Sequence, residues 1–485
     1  MRALDFTVIL VYLAGITWFG ARFRRTQKSL KDYFLGGRSA PWWAIALSIV
    51  SAETSTLTVI GTPALAFAGN LGFLQVVFGY LLARIVIAAL FLPSYFRGEM
   101  YTAYELIEVR FGPRLRRLTA GLFLLLRALA EGVRVFAISI VVSIVLGTGE
   151  AASIILIVCL TLFYTFEGGM TAVIWTDVVQ MFLYLSGAAL SFFVILDKIP
   201  GGWEQVWSAA AEAGKLKVFD FHFEYSRDFL SRTYTFWAGV LGGCFLTTAS
   251  HGTEQLMVQR LLAARSERES RAALLASWVV IFLQFSLFLI IGVMLYVYYQ
   301  GSATPPPDPM DRVYPDFVWR HLPHGLAGLV IAAILAAAMS NLSAALNSLA
   351  STSVMDFYRT ASARRGIARP ESHYLRAARL STLGWGAILL AIGWLARQWG
   401  SVLEAGLSIA SILYGGLLGV FLLGLLTRRV GERAAICGML AGLAVMAWVK
   451  GFTSIAWTWY VLIGTAATFL AGLSAAAVVP EQKNA

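Results

Sequence analysis

Charged residues are scarce in this sequence, and cysteine and histidine are scarcer still. Only 13% of the 485 residues are charged, whereas 58% are hydrophobic and the mean hydropathy is +0.72. Ordinary soluble domains carry roughly 25% charged residues, so the composition excludes a soluble enzyme, a disordered chain and a nucleic-acid-binding protein. The three cysteines lie far apart, without a CxxC motif or a Cys/His cluster, which excludes a disulfide framework and a zinc site. No HExxH or GxSxG motif is present, so no enzyme activity is predicted.

Long apolar runs take the place of the missing charge. A helix that crosses a bilayer needs about 20 mostly apolar residues, and thirteen such runs predict an all-α polytopic membrane protein. The first run is predicted to be a retained helix with its N-terminus outside, because Arg22, Arg24 and Arg25 follow it in place of a cleavage site. The runs cover 4–21, 42–68, 73–96, 118–148, 151–166, 172–196, 235–260, 272–299, 325–357, 378–396, 402–426, 432–449 and 455–479.

The basic residues are concentrated in alternate loops. Loops rich in lysine and arginine lie on the cytoplasmic side of membrane proteins. We therefore predict a multi-pass protein of the plasma membrane, the inner membrane of a bacterium, with a cytoplasmic C-terminus. The net charge of +11 then needs no acidic partner. Loops 197–234 and 300–324 are predicted to be external caps, the second one irregular because it contains three consecutive prolines. The basic loops are 22–41, 97–117, 260–271, 359–379 and 428–433.

Six charged residues stand out inside the predicted spans, where each costs about 2.5–3.5 kcal/mol on insertion scales. Arg127, Glu131 and Arg134 share one face of a helix, because they are spaced by four and three residues. They form either a self-neutralising ladder or an arginine clamp for an anionic substrate. Asp177 is interpreted as a cation ligand, a proton carrier or an anchor between helices. The remaining two are Glu53 and Arg84.

Two polar segments interrupt the apolar runs. The first, SAETSTLT at 51–58, precedes Gly61 and Pro63, and the second is TTASHGT at 247–253. Discontinuous helices of this kind expose carbonyl and amide groups that bind ions and substrate. Each interruption opens a set of five helices, which is typical of an inverted-repeat transporter. We predict one transport domain over 1–485, with an extra helix at 4–21, repeats at 42–196 and 235–426, and two additional helices at 432–479.

Specific motifs recur along nearly the whole chain. They are DYFLGGR at 32–38, WW at 42–43, YTAYE at 101–105, RFG at 110–112, GG at 168–169, AVIWTD at 172–177, Gln255 with VQR at 258–260, and the serine-rich segment 340–356. Together they resemble the sodium:solute symporter family, which includes bacterial sodium/proline, sodium/galactose and sialic acid symporters. The resemblance implies a leucine-transporter-like core of two inverted five-helix repeats. It also implies that inward sodium flow drives uptake of a small solute by alternating access, with no cofactor.

The same resemblance implies a primary sodium site between core helices 1 and 8. Its ligands would be the backbone carbonyls of Ser51, Thr54 and Ala337, the hydroxyl of Ser340, and the side chain of Asn341, where the family usually has serine or threonine. An additional sodium site is implied at Asp177, Ser340 and Ser343, although Ala344 replaces the last hydroxyl of that site. Asp177 therefore either binds a second sodium ion or only tunes the primary site.

The substrate of this family lies in mid-membrane between core helices 1, 2, 3 and 6. Arg134 resembles in placement the arginine with which sialic acid symporters hold a carboxylate. A carboxylate-bearing solute is therefore favoured, such as a monocarboxylate, a sialic-acid-like compound or an amino acid. Neutralisation of Arg134 by Glu131 would weaken this preference. A sugar, polyol or vitamin symporter is the alternative, and a membrane sensor or channel-like protein is a further one. A functional monomer is expected. The predicted substrate residues are Ser55, Thr58, Gln75, Arg134, Thr247, Ser250 and His251.

Overall fold

The computed structural model describes residues 3–23, 29–97, 100–147, 149–223, 227–302, 304–396 and 402–478, which fold almost entirely into helices. The only β pairing among them is an isolated parallel bridge between Ala40 and Ala264. The predicted all-α class is confirmed for this part of the chain. Arg24, Arg25 and the predicted cytoplasmic C-terminus lie outside the described residues.

The helices are numbered in chain order. In the first half of the chain they are α1 Ala3–Ala21, α2 Leu30–Leu35, α3 Trp42–Glu53, α4 Thr56–Ala68, α5 Leu74–Val86, α6 Leu92–Tyr95, α7 Ala103–Arg110, α8 Pro113–Leu146, α9 Glu150–Asp197, α10 Gly202–Glu212 and α11 Arg227–Ser231. In the second half they are α12 Phe236–Gly252, α13 Gln255–Leu262, α14 Glu267–Gln300, α15 Val313–His321, α16 Leu326–Thr352, α17 Thr360–Arg364, α18 Glu371–Ala396, α19 Val402–Leu426, α20 Glu432–Phe452 and α21 Tyr460–Val478. The long helix α9 is bent at Gly169, whose φ of 56° lies in the left-handed region that favours glycine.

The apolar helices match the predicted spans in position. Ten described helices are long and apolar enough to cross a bilayer, or eleven if the bent pair α3 and α4 forms one span. Two predicted runs remain. Run 151–166 contains the shorter apolar helix Ala151–Leu162, and run 235–260 contains the interrupted pair α12 and α13. The count of thirteen spans therefore stays a prediction.

The first predicted interruption is present, at Thr54 and Ser55. These two residues have extended backbone conformations, and α3 and α4 meet there at an angle of 61°. The hydroxyl of Thr54 donates to the carbonyl of Val50 (2.8 Å), which closes the end of α3. The backbone of Ser55 donates to Oγ1 of Thr58 (3.3 Å), which satisfies an amide at the start of α4. The polar side chains of the segment 51–58 thus cap both ends of the break.

The second interruption lies slightly later in the chain than predicted. Residues 247–252 remain helical, and the chain becomes extended only at Glu254, between α12 and α13. The hydroxyls of Ser250 and Thr253 donate to carbonyls of their own helix, those of Thr247 (3.3 Å) and Ala249 (2.8 Å). Because serine and threonine can bond in this way, a polar segment alone does not locate the break.

Helices α5 and α12 approach each other closely along a row of glycines. A Cβ atom placed on Gly243 would lie 2.3 Å from the carbonyl oxygen of Val76, and one on Gly79 would lie 2.4 Å from that of Val240. Any side chain at either position would therefore force the two backbones apart. Small residues permit this kind of packing between membrane helices.

The five basic loops meet on one face of the molecule. Hydrogen bonds join segments of all five in the pairs Arg38–Met100, Ser39–Arg265, Leu30–Glu371 and Arg110–Val430. The prediction that these loops share one side is confirmed, whereas their assignment to the cytoplasm stays a prediction.

Loop 300–324 was predicted to be irregular, but part of it is helical. It contains α15, Val313–His321. The three prolines precede that helix, and the buried Phe317 and an ion pair from Arg320 to Asp316 (2.8 Å) support it.

Candidate functional site

The two helix breaks border a buried cavity of about 120 Å³. Arg134 from α8 lines it, together with residues on both sides of each break. Six of the seven predicted substrate residues are brought together here: Ser55, Thr58, Arg134, Thr247, Ser250 and His251. Aromatic and apolar side chains complete the wall, among them Leu57, Phe73, Tyr80, Leu246, Met257 and Phe285.

Gln75 does not belong to this cavity, which corrects the sequence prediction. It lines a second cavity of about 380 Å³, and Phe73 lines both cavities. The amide of Gln75 is already bonded to backbone groups, because Nε2 donates to the carbonyl of Tyr234 (3.1 Å) and Oε1 accepts from the amide of Asp220 (2.9 Å). Gln75 therefore anchors the loop before α12.

Arg127, Glu131 and Arg134 form one buried ionic network. Oε1 of Glu131 accepts from both arginines, at 2.5 Å from Nη1 of Arg134 and at a short distance from Nη2 of Arg127. Nη1 of Arg127 also donates to Glu254 (3.1 Å), whose other oxygen accepts from the hydroxyl of Tyr414 (2.5 Å). The network contains two arginines and two glutamates, so its formal charge is zero.

A second ionic cluster lies at the break of the first helix. Glu53, the last residue of α3, accepts from Nη2 of Arg84 on α5 at 2.5 Å. Nε2 of His251 lies 3.3 Å from the same carboxylate. Nδ1 of His251 is 2.9 Å from the hydroxyl of Ser250. The cluster ties α3 to α5 and α12 beside the cavity.

Two guanidinium nitrogen atoms on residues that line the cavity are buried without a hydrogen-bond partner among the described residues. They are Nε of Arg127 and Nε of Arg134. Arg134 remains 24% exposed, unlike Arg127 and His251. The arginines of this wall can therefore still donate hydrogen bonds to a ligand that carries acceptor groups.

The predicted primary sodium ligands converge where α3 faces α16. The hydroxyls of Ser51 and Ser340 are 2.8 Å apart, and Ala337 is buried one turn earlier on α16. The extended backbone at Thr54 ends the helical hydrogen-bonding pattern, which leaves carbonyl groups at the end of α3 without helical partners. Carbonyl and hydroxyl oxygens at an unwound helix suit a sodium ion.

Asn341 is oriented differently from a sodium ligand. Its Oδ1 accepts from Nη2 of Arg127 and from Nη1 of Arg134, both at 2.9 Å, and its Nδ2 donates to the carbonyl of Ala52. A carbonyl oxygen has two lone pairs, and both are used by guanidinium groups. This geometry disfavours the predicted role of Asn341 in the sodium site.

Asp177 is paired with side chains from three other helices, α3, α13 and α16. Oδ2 accepts from Nη2 of Arg260 (2.9 Å) and from the hydroxyl of Ser48 (2.5 Å), and Oδ1 accepts from Ser340 (2.5 Å). The guanidinium of Arg260 thus supplies a positive charge beside the carboxylate that was predicted to bind a second sodium ion. The hydroxyl of Ser343 is buried and has no partner among the described residues. Asp177 is linked to the primary site through Ser340.

Comparison with known families decides the class of this protein. The sodium:solute symporter family model matches residues 33–442. The chain belongs to this family. Membership confirms the predicted transport function and sodium coupling.

Relatives of the symporter cover nearly all of the chain. The human sodium/iodide cotransporter is 30% identical over 454 residues, which are 92% of this chain and 68% of the relative. The sodium/sialic acid symporter of Proteus mirabilis is 28% identical, over 97% of this chain and 94% of the relative. The sodium-coupled monocarboxylate transporter 1 of Xenopus laevis is 28% identical, over 92% of this chain and 71% of the relative.

Solved structures identify the fold of the symporter. A substrate-bound, outward-open sodium-coupled sialic acid symporter superposes with a TM-score of 0.89 at 27% identity, over 99% of both chains. The nucleobase–cation symporter Mhp1 in a closed conformation gives a TM-score of 0.61 at 14% identity, over 92% of this chain and 95% of Mhp1, and this likeness shows the fold alone. Both neighbours support the predicted leucine-transporter-like fold.

Three polar residues of the symporter's core escape sequence analysis: Glu254, Arg260 and Tyr414. Glu254 directly follows the polar segment 247–253, so extending that segment by one residue would have found it. Arg260 begins a basic loop in the sequence, and only the structure reveals its ion pair with Asp177 on α9. No sequence signal distinguishes Tyr414 from a tyrosine of the apolar core.

Proposed function

We propose that this symporter couples inward sodium movement to the uptake of a small monocarboxylate. The observation that carries the proposal is the pair of unpartnered guanidinium nitrogens beside the cavity, Nε of Arg127 and Nε of Arg134. A carboxylate offers two oxygens with about four acceptor sites and matches a guanidinium in a bidentate manner. Arg134, the more exposed of the two arginines, is the proposed carboxylate ligand. The hydroxyls of Ser55, Thr58, Thr247 and Ser250 would hold the rest of the solute.

The paired acids favour an anion over a zwitterion. The two glutamates that line the cavity, Glu53 and Glu254, already accept from Arg84 and from Arg127 with Tyr414. The ammonium group of an amino acid would have to share one of these neutralised carboxylates. The iodide, sialic acid and monocarboxylates named for the relatives are all anions at neutral pH, which agrees with this preference.

The volume of the cavity favours a short solute. An engineered protein cavity of roughly 150 Å³ holds one benzene molecule, and the cavity here is about 120 Å³. A compound with about as many non-hydrogen atoms as benzene fills such a space. Lactate, pyruvate and propionate have this size, whereas a sialic acid is several times larger.

We place the coupling ion among the carbonyls of Ser51, Thr54 and Ala337 and the hydroxyl of Ser340. A sodium ion there would fix the break between α3 and α4 against α16, and the solute would then meet a formed pocket. By reciprocity, solute binding would tighten sodium binding by the same factor. With the basic loops in the cytoplasm, alternating access would move the repeats 42–196 and 235–426 around this site.

The proposal is tested with the purified protein in liposomes. We expect thermal stabilisation and uptake of lactate, propionate or pyruvate in sodium, and a much weaker response in potassium. Alanine, glucose and N-acetylneuraminic acid serve as zwitterionic, neutral and large controls. Uptake that does not depend on sodium, or a response to glucose without a response to any carboxylate, would contradict the proposal.

A further inference from the structure

Asn341 joins the helix break to the arginines of the cavity. Its Nδ2 donates to the carbonyl of Ala52 on α3, and its Oδ1 accepts from Arg127 and Arg134 on α8 at 2.9 Å each. The side chain is only 1% exposed. One amide group therefore bonds simultaneously to the two elements that flank it.

The orientation of this amide is fixed by its partners. A flipped amide would direct Nδ2 at two guanidinium donors and Oδ1 at the carbonyl oxygen of Ala52, so every contact would become repulsive. In the observed orientation both lone pairs of Oδ1 are used by guanidinium hydrogens. Asn341 thus has no lone pair left for a cation, although it directly follows Ser340.

The two ends of Asn341 touch the two proposed binding sites. Ala52 lies between Ser51 and Thr54, whose carbonyls belong to the proposed sodium site, and Arg134 is the proposed carboxylate ligand. An ion that orders the carbonyls of Ser51 and Thr54 also orders the Ala52 peptide between them. Because the amide group of asparagine is a rigid plane, fixing Nδ2 fixes Oδ1 as well.

We propose that Asn341 is a positioning residue that transmits sodium occupancy to Arg134, rather than a sodium ligand. Sodium fixes Ala52, Ala52 fixes Asn341, and Asn341 holds Arg134 ready for a carboxylate. Such pre-organisation raises solute affinity by removing an ordering cost from the binding step. The inference rests on the proposed function for the location of the sodium site.

The first test needs no solute. Phenylglyoxal modifies guanidinium groups, and peptide mass spectrometry gives its rate of reaction at Arg134 in the full-length protein. We expect slower modification of wild-type Arg134 in sodium than in potassium, and equal rates in the two salts for Asn341→Ser. Ser340→Ala, which removes a proposed sodium ligand, should also equalise the rates. Ser348→Ala, whose hydroxyl donates to the carbonyl of Ala345 within α16, should behave like the wild type.

The second test compares lactate affinity in sodium and in potassium. For the wild type, we expect lactate affinity to be at least about fivefold higher in sodium than in potassium. For Asn341→Ser, we expect nearly equal lactate affinities in the two salts and a sodium affinity changed by less than about threefold. A tenfold loss of sodium affinity in Asn341→Ser would identify a ligand and overturn the inference. So would wild-type modification rates that are equal in both salts, a result that requires no variant to fold. If lactate does not bind to the wild type, the monocarboxylate proposal fails, and the modification rates still decide the inference.

Discussion

Arg127 and Arg134 share the carboxylate of Glu131, and this sharing bears on both interpretations of their common helix face. The ladder interpretation is correct for Arg127, whose guanidinium donates to Glu131, Glu254 and Asn341. The clamp interpretation concerns Arg134, whose bonds all start from one nitrogen, Nη1. Burial of a charge is tolerated only when it is paired, and Arg134 satisfies this condition while it keeps donor capacity for a ligand.

Replacing Arg134 tests the substrate assignment at this scale. Arg134→Gln should raise the KM for lactate tenfold or more, because a hydrogen bond to a charged group contributes about 1.5–3 kcal/mol. The fold should persist, since Glu131 would keep its bond to Arg127. Uptake of labelled lactate by liposomes measures the effect, and Arg134→Lys should recover part of it.

A matched control for this variant lies on the same helix. Arg117 is exposed and donates to the carbonyl of Pro113 at the start of α8, so Arg117→Gln should leave KM unchanged. Equal KM values for Arg134→Gln and the wild type would favour the sugar, polyol or vitamin alternative.

At the scale of helices, polarity patterns predicted where the chain breaks but not what the breaks contact. The segment 51–58 marked the first break because serine and threonine cap helix ends, which is a local property. Gln75 was misplaced because its partners, Asp220 and Tyr234, are more than a hundred residues away in the sequence. The role of Asn341 was also invisible, since it depends on Ala52 and two arginines of another helix. Local capping is encoded locally, whereas the partner of a buried amide is set by packing.

The contact between α5 and α12 gives a prediction about stability. Gly243→Ala should lower the melting temperature of the detergent-solubilised protein, because the new methyl group would lie 2.3 Å from the carbonyl oxygen of Val76. Overpacking of this kind costs about 1–3 kcal/mol. Gly384→Ala is the control, since nothing lies within 4 Å of a Cβ atom there. Equal melting temperatures for the two variants would argue against the close approach.

For the whole molecule, the pairing of Asp177 with Arg260 bears on the number of sodium ions that accompany each solute. A guanidinium already neutralises the carboxylate predicted for a second sodium ion. We therefore expect one sodium ion to accompany each monocarboxylate, so that the loaded transporter carries no net charge across the membrane.

Electrical measurements can check this stoichiometry. One net charge moved through 100 mV contributes about 2.3 kcal/mol, or roughly a fiftyfold change in accumulation. Steady-state accumulation of lactate in liposomes should change less than twofold when valinomycin and potassium impose an inside-negative potential of that size. An increase that approaches fiftyfold would require a second sodium ion.

The buried ionic groups also determine how the protein behaves when it is empty. In the described core, four carboxylates pair with four guanidiniums. Glu53 pairs with Arg84 and Asp177 with Arg260, and Glu131 and Glu254 share Arg127 and Arg134. These fixed charges cancel, so the return of the unloaded carrier would transfer no charge from them. With both half-cycles electrically silent, a depolarised cell would go on importing its solute for as long as sodium remained more concentrated outside.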